Sequence, residues 1–201
     1  MQRRLILASV SPRRRELLRA AGFEFDVVSA AVTETESTAL TLREITLANA
    51  LRKGRAVSSA NRASVVVAAD TLVALDGLVL GKPTDLEHAR HTLRRLSGRT
   101  HEVCSGVFVG HAGRVRLFQV VSRVRFRVLT DAAIADYFTK VNPLDKAGAY
   151  AAQGNGADII QSIDGSFTNV VGLPMDETIR ALAEFGIQPT SIVSRSAGAL
   201  V

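Results

Sequence analysis

Arg4-Leu5-Ile6-Leu7-Ala8-Ser9-Val10-Ser11-Pro12-Arg13-Arg14-Arg15 is the stretch on which the fold turns. An apolar run of strand length, Arg4 to Ala8, passes through a hydroxyl-rich loop into a helix. Ser11 is placed to cap that helix, Pro12 suits its first position, and Gly22 ends it. Further along, Thr41 and Glu44 form a capping box for a helix over Leu42 to Ser59, and Ser64 to Ala69 reads as a buried strand. Leu72 to Leu80 turns at Asp76-Gly77, a dipeptide that permits the left-handed backbone of a tight hairpin. Thr84 with Glu87 predicts the start of another helix, closing at Ser97-Gly98. Val103 to Val109 and Val115 to Val128 predict a second hairpin around His111 to Arg114. A short helix from Thr130 to about Thr139, a strand over Ile159 to Ile163 and a last helix between Pro174 and Gly186 complete the pattern. Helices interleave with hairpins, so the expected class is α/β with a long mixed sheet flanked by helices. No linker, low-complexity run or repeat interrupts it, and residues 1–201 read as a single domain.

Composition narrows the function. With 47% hydrophobic and 22% charged residues, the balance is that of a folded globular protein rather than a disordered one. No apolar run approaches the ~20 residues of a membrane span, and the short run Leu5 to Ala8 is too brief for a signal-peptide core. The expectation is a protein with no membrane partner. A single cysteine, Cys104, forms no intrachain disulfide, which fits a reducing cytoplasm. The formal charge of +6 favours anionic partners. Aromatic residues are only 5%, with no Trp, so base-stacking platforms are scarce and the expectation is small anionic substrates rather than nucleic acid.

The loop from Ser9 to Arg15 also carries the first chemistry. A helix N-terminus exposes N–H groups that bind anions, and arginines in a first turn are unfavourable there without an anion to offset them. The plainer reading is a solvated basic face. Asp70 follows the apolar run Val65 to Ala69, placing a carboxylate at the expected carboxyl end of a strand, where open α/β sheets keep their sites; capping the next turn is its plainer role. Lys82, in Gly81-Lys82-Pro83, is placed to reach a phosphate, although no Walker pattern surrounds it. Lys53 on the second helix reads by default as solvated. His88 and His91 share a helix face but lack a metal-protease pattern, and Cys104 reads as a core residue. The segments Asp145 to Tyr150, Gln153 to Gly156 and Gly165 to Pro174 read as shaped loops rich in glycine.

Taken in order, Leu7-Ala8-Ser9 with Ser11-Pro12-Arg13-Arg14, Ala69-Asp70-Thr71, Gly81-Lys82-Pro83, Leu96-Ser97-Gly98 with Thr100-His101, Asp145-Lys146-Ala147-Gly148-Ala149-Tyr150 with Gln153-Gly154, and Asn169 to Pro174 resemble the Maf family of nucleoside triphosphate pyrophosphatases. The resemblance implies a fold related to the inosine triphosphate pyrophosphatases, with two lobes around a cleft, and a homodimer. It implies hydrolysis of a nucleoside triphosphate, with dTTP and UTP the expected substrates, to the monophosphate and pyrophosphate, using Mg²⁺ or Mn²⁺. Carried over by motif, Asp70 is the proton acceptor and, with Glu34, a metal ligand; Ser9, Arg14, Lys53 and Lys82 sit around metal and phosphates; Arg13, Thr71 and Gln153 match specificity positions. Glu36 lies close to Glu34 in the same segment. The chain departs from the family at Gly54, where alanine is usual after the helix lysine, at Ala151-Ala152 in place of Gly-Ile, and at Val10.

The chemistry agrees with that resemblance. Cleaving a triphosphate needs cationic neutralisation and a positioned water rather than a covalent nucleophile, and hard oxygen ligands suit the metal. Gln153 offers one donor and one acceptor to a uracil or thymine edge, and Arg13, which only donates, discriminates against cytosine. The alternative is a nucleic-acid-binding regulator of cell division without hydrolysis. Steeply salt-dependent binding to long DNA or RNA without pyrophosphate release separates it from the enzyme.

Overall fold

The computed structural model describes residues 3–35 and 39–190; Glu36 lies outside them. Strand β1 (Leu5–Leu7) is fully buried and leads, through the hydroxyl loop, into helix α1 (Pro12–Ala20). Ser11 occupies the cap position but makes no side-chain cap bond. Instead Ser9 Oγ accepts the Ser11 N–H at 3.2 Å, so the loop is organised one step earlier than expected. A two-residue strand, β2 (Asp26–Val27), pairs parallel to β1; it is too short to leave a periodic signature.

Helix α2 (Leu42–Ala60) begins with the expected capping box between Thr41 and Glu44. Strand β3 (Val65–Leu75) then joins the strand predicted to end at Ala69 and the hairpin arm predicted from Leu72 into one. The reason lies in its partners. Its first part pairs parallel with β1 as far as Val67, its last part pairs antiparallel with β4 (Leu78–Leu80) from Val73, and its other edge pairs continuously with β5 (Thr100–His111). Asp70 is therefore mid-strand, not at a strand end. Asp76 and Gly77, both at positive φ, make the predicted hairpin turn.

Helix α3 (Leu86–Leu96) is capped by Asp85, whose carboxylate accepts the His88 N–H at 2.8 Å, rather than by the predicted Thr84 and Glu87 pair. The carboxylate is the stronger acceptor for the helix's free N–H groups, and it shifts the start by one residue. Strand β6 (Arg114–Phe126) pairs along the length of β5, and helix α4 (Asp131–Lys140) follows the Thr130 cap. Two 3₁₀ turns, Ala147–Ala149 and Asn155–Asp158, precede β7 (Ile160–Asp164). The presumed loop after Gly165 contains a short helix, α5 (Phe167–Val171), capped by Ser166, and α6 (Met175–Glu184) ends the described fold. The sheet is mixed and has seven strands in the order β2-β1-β3-β5-β6-β7, with β4 on β3. No helix among the described residues is long and apolar enough to cross a membrane.

Side chains alternate along β3, and the alternation sorts the core. Val66, Ala68 and Phe108 pack toward α2 with Ala50 and Val57. On the opposite face, Val65, Val67 and Ala69 join Leu18, Leu182 and Phe185, while Val73 and Leu75 join a second cluster with Leu93, Leu96, Ile134 and Tyr137. Between those two clusters the same face carries a polar belt of Thr71, Ser105, Ser122 and Asn169. Helix α2 comes unusually close to β5: a Cβ on Gly106 would meet Thr46 C at 2.5 Å, and the ring of Phe108 fills the space where Gly54 has none.

Candidate active site

The pairing pattern itself marks a site. From Ala68 to Leu72, β3 is paired with β5 on one edge, while the β1 ladder has ended at Val67 and the β4 ladder has not begun. Chain exits enter this gap from both ends. Leu7 leads into Ala8 and Ser9, and Leu80, opposite Val73, leads into Gly81 and Lys82. A break of this kind, where neighbouring strands diverge, is where α/β sheets leave room for a ligand.

Asp70 and Thr71 stand in the gap and point to opposite faces of the sheet. On the α2 face, Lys53 Nζ donates to Asp70 Oδ1 at 2.7 Å and to Glu34 Oε1 at 2.6 Å. The side chains of Lys53 and Asp70 are only 12% and 7% exposed, whereas that of Glu34 is 51% exposed. Lys53 is thus an enclosed ammonium shared by two carboxylates, not the solvated residue its helix position suggested. Asn49, one helical turn earlier, donates from Nδ2 to Asp70 Oδ2 at 3.0 Å. Both oxygens of Asp70 therefore face N–H donors.

On the other face Arg14 is the organiser. Its Nε donates to Gly172 O at 2.8 Å, Nη1 to Ser9 Oγ at 3.1 Å and Nη2 to Thr71 Oγ1 at 3.1 Å. Thr71 Oγ1 also lies 2.8 Å from Ser105 Oγ. The direct partners of this guanidinium are neutral oxygens. Burial lowers its pKa, the charges of Asp70 and Glu34 act against that lowering, and Arg13 adds to it. A partly desolvated cation with two N–H groups unbonded among the described residues is a receptor for an anion. Arg13, by contrast, turns to Asp145 at 3.8 Å. Burial would raise the Asp145 carboxyl, but the Lys146 hydrogen bond and the charges of Lys146 and Arg13 outweigh it and hold the pKa below its usual value.

The expected residues thus fall into two bonded groups, Glu34–Lys53–Asp70 and Ser9–Arg14–Thr71. Lys82 and Gln153 make no hydrogen bond to either group among the described residues. The Lys82 loop is nevertheless tied to the Ala147–Ala149 turn, because Gly148 donates its N–H to Gly81 O at 3.2 Å. Gln153 is half-buried between the two 3₁₀ turns. Asn49, Ser105 and the Gly172 carbonyl are additions that sequence reading missed. Asn49 left a trace: with Ile45 and Lys53 it makes an i, i+4, i+8 series, a polar residue on a buried helix face.

Among the described residues no three His, Cys, Asp or Glu side chains cluster to hold a metal. Two carboxylates, Asp70 and Glu34, do converge on one point, and two hard oxygen ligands suffice for Mg²⁺ or Mn²⁺ when phosphate oxygens and water complete the sphere. The donor set fits such an ion.

A family model described as Maf-like protein matches residues 4–185, and the chain belongs to that family. Among its relatives, a protein of Bacillus pumilus named dTTP/UTP pyrophosphatase is 44% identical, over 92% of this chain and 98% of its own length. Proteins of the same name from Bacillus velezensis and Akkermansia muciniphila are 44% and 43% identical, covering 94% and 90% of this chain and 100% and 96% of theirs.

Proposed function

We propose that this protein is a nucleoside triphosphate pyrophosphatase that hydrolyses dTTP and UTP to the monophosphate and pyrophosphate. The observation that carries the reading is Asp70 itself: a buried carboxylate in a gap of the sheet, with Lys53 and Asn49 on its two oxygens and the Arg14 cluster across the strand. The names of the relatives support the substrate pair. They describe nucleotide hydrolysis, and the nucleic-acid regulator is not carried forward.

In this mechanism Asp70 orients a water and takes its proton as the oxygen attacks the α-phosphorus, and pyrophosphate leaves. Lys53 holds the carboxylate in place through its 2.7 Å bond to Oδ1, while Arg14, Ser9 and Lys82 receive the phosphate charge. Asp70 and Glu34 would hold Mg²⁺ or Mn²⁺, which neutralises charge on the triphosphate. Arg13 and Gln153 select the base, Gln153 by pairing with the carbonyl and N3–H edge of uracil or thymine. We further propose a cytoplasmic homodimer, supported by the single cysteine and by the family resemblance.

Asp70→Asn preserves shape and removes the base. Turnover of dTTP is expected to fall by roughly a hundredfold or more. Near-normal pyrophosphate release by the folded variant refutes the assignment, and nucleoside diphosphate with orthophosphate as products refutes the reaction. Comparing kcat/KM for dTTP, UTP, CTP, dCTP and 7-methyl-GTP tests the pocket. Unchanged selectivity in both Arg13→Ala and Gln153→Ala removes it while leaving the chemistry standing.

A further inference from the structure

Asn49 is 2% exposed, on a helix face where an apolar side chain would pack without needing partners. Asparagine is a poor helix former, and burying its amide is unfavourable unless its polar atoms are bonded. They are bonded on two sides. One Nδ2 proton goes to Asp70 Oδ2 at 3.0 Å. On the other side, Nδ2 donates to Thr35 O at 3.3 Å, and Oδ1 accepts the Thr35 N–H at 2.7 Å. The second pair of bonds is a clasp of a side-chain amide on the main chain. Arg52 strengthens it, donating from Nη1 to Thr33 O at 3.0 Å and to Thr35 Oγ1 at 2.7 Å. The residue between those two anchors is Glu34, whose carboxylate reaches Lys53.

We propose that Asn49 is a positioning residue for the hydrolysis, one side chain that orients Asp70 through Oδ2 and fixes residues 33–35 so that Glu34 meets the same lysine. This rests on the function proposed above. Asparagine suits the task because it both donates and accepts. Leucine, similar in size, offers neither bond, and aspartate would set a second anion against Asp70. Asn49 itself need not touch the nucleotide.

The test is pyrophosphate release from dTTP by the wild type, Asn49→Leu, Asp70→Asn and the double variant, with deuterium exchange at the Thr35 amide as a readout independent of turnover. Asn49→Leu is expected to lose ~10–100-fold in kcat with KM for dTTP nearly unchanged, as for other residues that act by orienting a reacting group. The double variant should lose less than the product of the two single losses, because part of the Asn49 effect passes through Asp70. The Thr35 amide should exchange faster in Asn49→Leu. A folded Asn49→Leu enzyme with wild-type kcat overturns the proposal, as do losses that simply multiply or an unchanged Thr35 amide. Asn49→Ser, too short to bridge both partners, gives the same reading should the leucine variant not fold. A wild type that releases no pyrophosphate defeats the proposed function instead, which separates the two failures.

Discussion

Replacing Gly54 by alanine is expected to destabilise this chain. A Cβ built there lies within 2.6 Å of Cδ1, Cγ and Cε1 of Phe108, whereas ordinary contact begins at 3.4 Å. The ring cannot step aside: Phe108 is 1% exposed, and a Cβ on Gly110 would also overlap it, so two glycines straddle one phenylalanine. Overfilling a packed core costs about 1–3 kcal/mol, and alanine's better helix propensity returns about 1 kcal/mol. With aromatic carbons on a trapped side chain as the obstacle, a net loss of about 2 kcal/mol is expected, or a Tm lower by about 4–8 °C for a domain of this size. Urea denaturation of Gly54→Ala, Phe108→Leu and the double variant measures it. Removing the ring should relieve the alanine, leaving the double variant more stable than additive losses allow. An alanine variant as stable as the wild type, or no relief from Phe108→Leu, would refute the packing argument. Because α2 also carries Asn49 and Lys53, kcat should fall with stability in Gly54→Ala and recover in the double variant.

Lys53→Met should destabilise the fold by about 3–5 kcal/mol, since it leaves the buried Asp70 carboxylate without its ammonium, and adding Asp70→Asn should restore much of that stability in the same urea assay. His101 is 2% exposed, bonds Tyr150 through Nε2 at 2.8 Å, and has its pKa lowered from 6.5 to about 4 by burial. It is therefore neutral when folded, while the unfolded chain takes up a proton below about 6.5. Stability should fall as pH drops from about 6.5 to about 4 and flatten below, by about 3 kcal/mol from this group, and His101→Phe should lose that component of the slope. Asp85→Ala should lower Tm more than Thr84→Ala, because Asp85 holds the His88 N–H; the reverse ranking would restore Thr84 as the cap.

Local signals carried most of the fold. Asp76-Gly77 specified its turn, Thr41 with Glu44 its cap, and the apolar run before Asp70 its strand, because each depends on residues a few positions apart. That the strand read as ending at Ala69 and the hairpin arm read as starting at Leu72 are one strand was hidden, since Asp70 and Thr71 join them by pairing with Gly106 and Ser105, more than thirty residues away. The site divides the same way. Motif resemblance supplied the charged residues but not their arrangement: that Lys53 serves two carboxylates, or that Arg14 spends three donors on Ser9, Thr71 and Gly172, follows from contacts distant in sequence. Nothing local to Asn49 shows that Thr35 and Asp70 flank its amide.

Asp70 and Thr71 are neighbours in the chain yet serve opposite sides of the sheet, and this makes the length of β3 as consequential as its composition. Deleting or inserting one residue between Val65 and Ala69, while the strand kept its place between β1 and β5, would turn the carboxylate toward Arg14 and the hydroxyl toward Lys53. Every functional group would survive and none would face its partner. Substitutions along this strand can therefore be graded by size and polarity, but changes of length admit no such gradation.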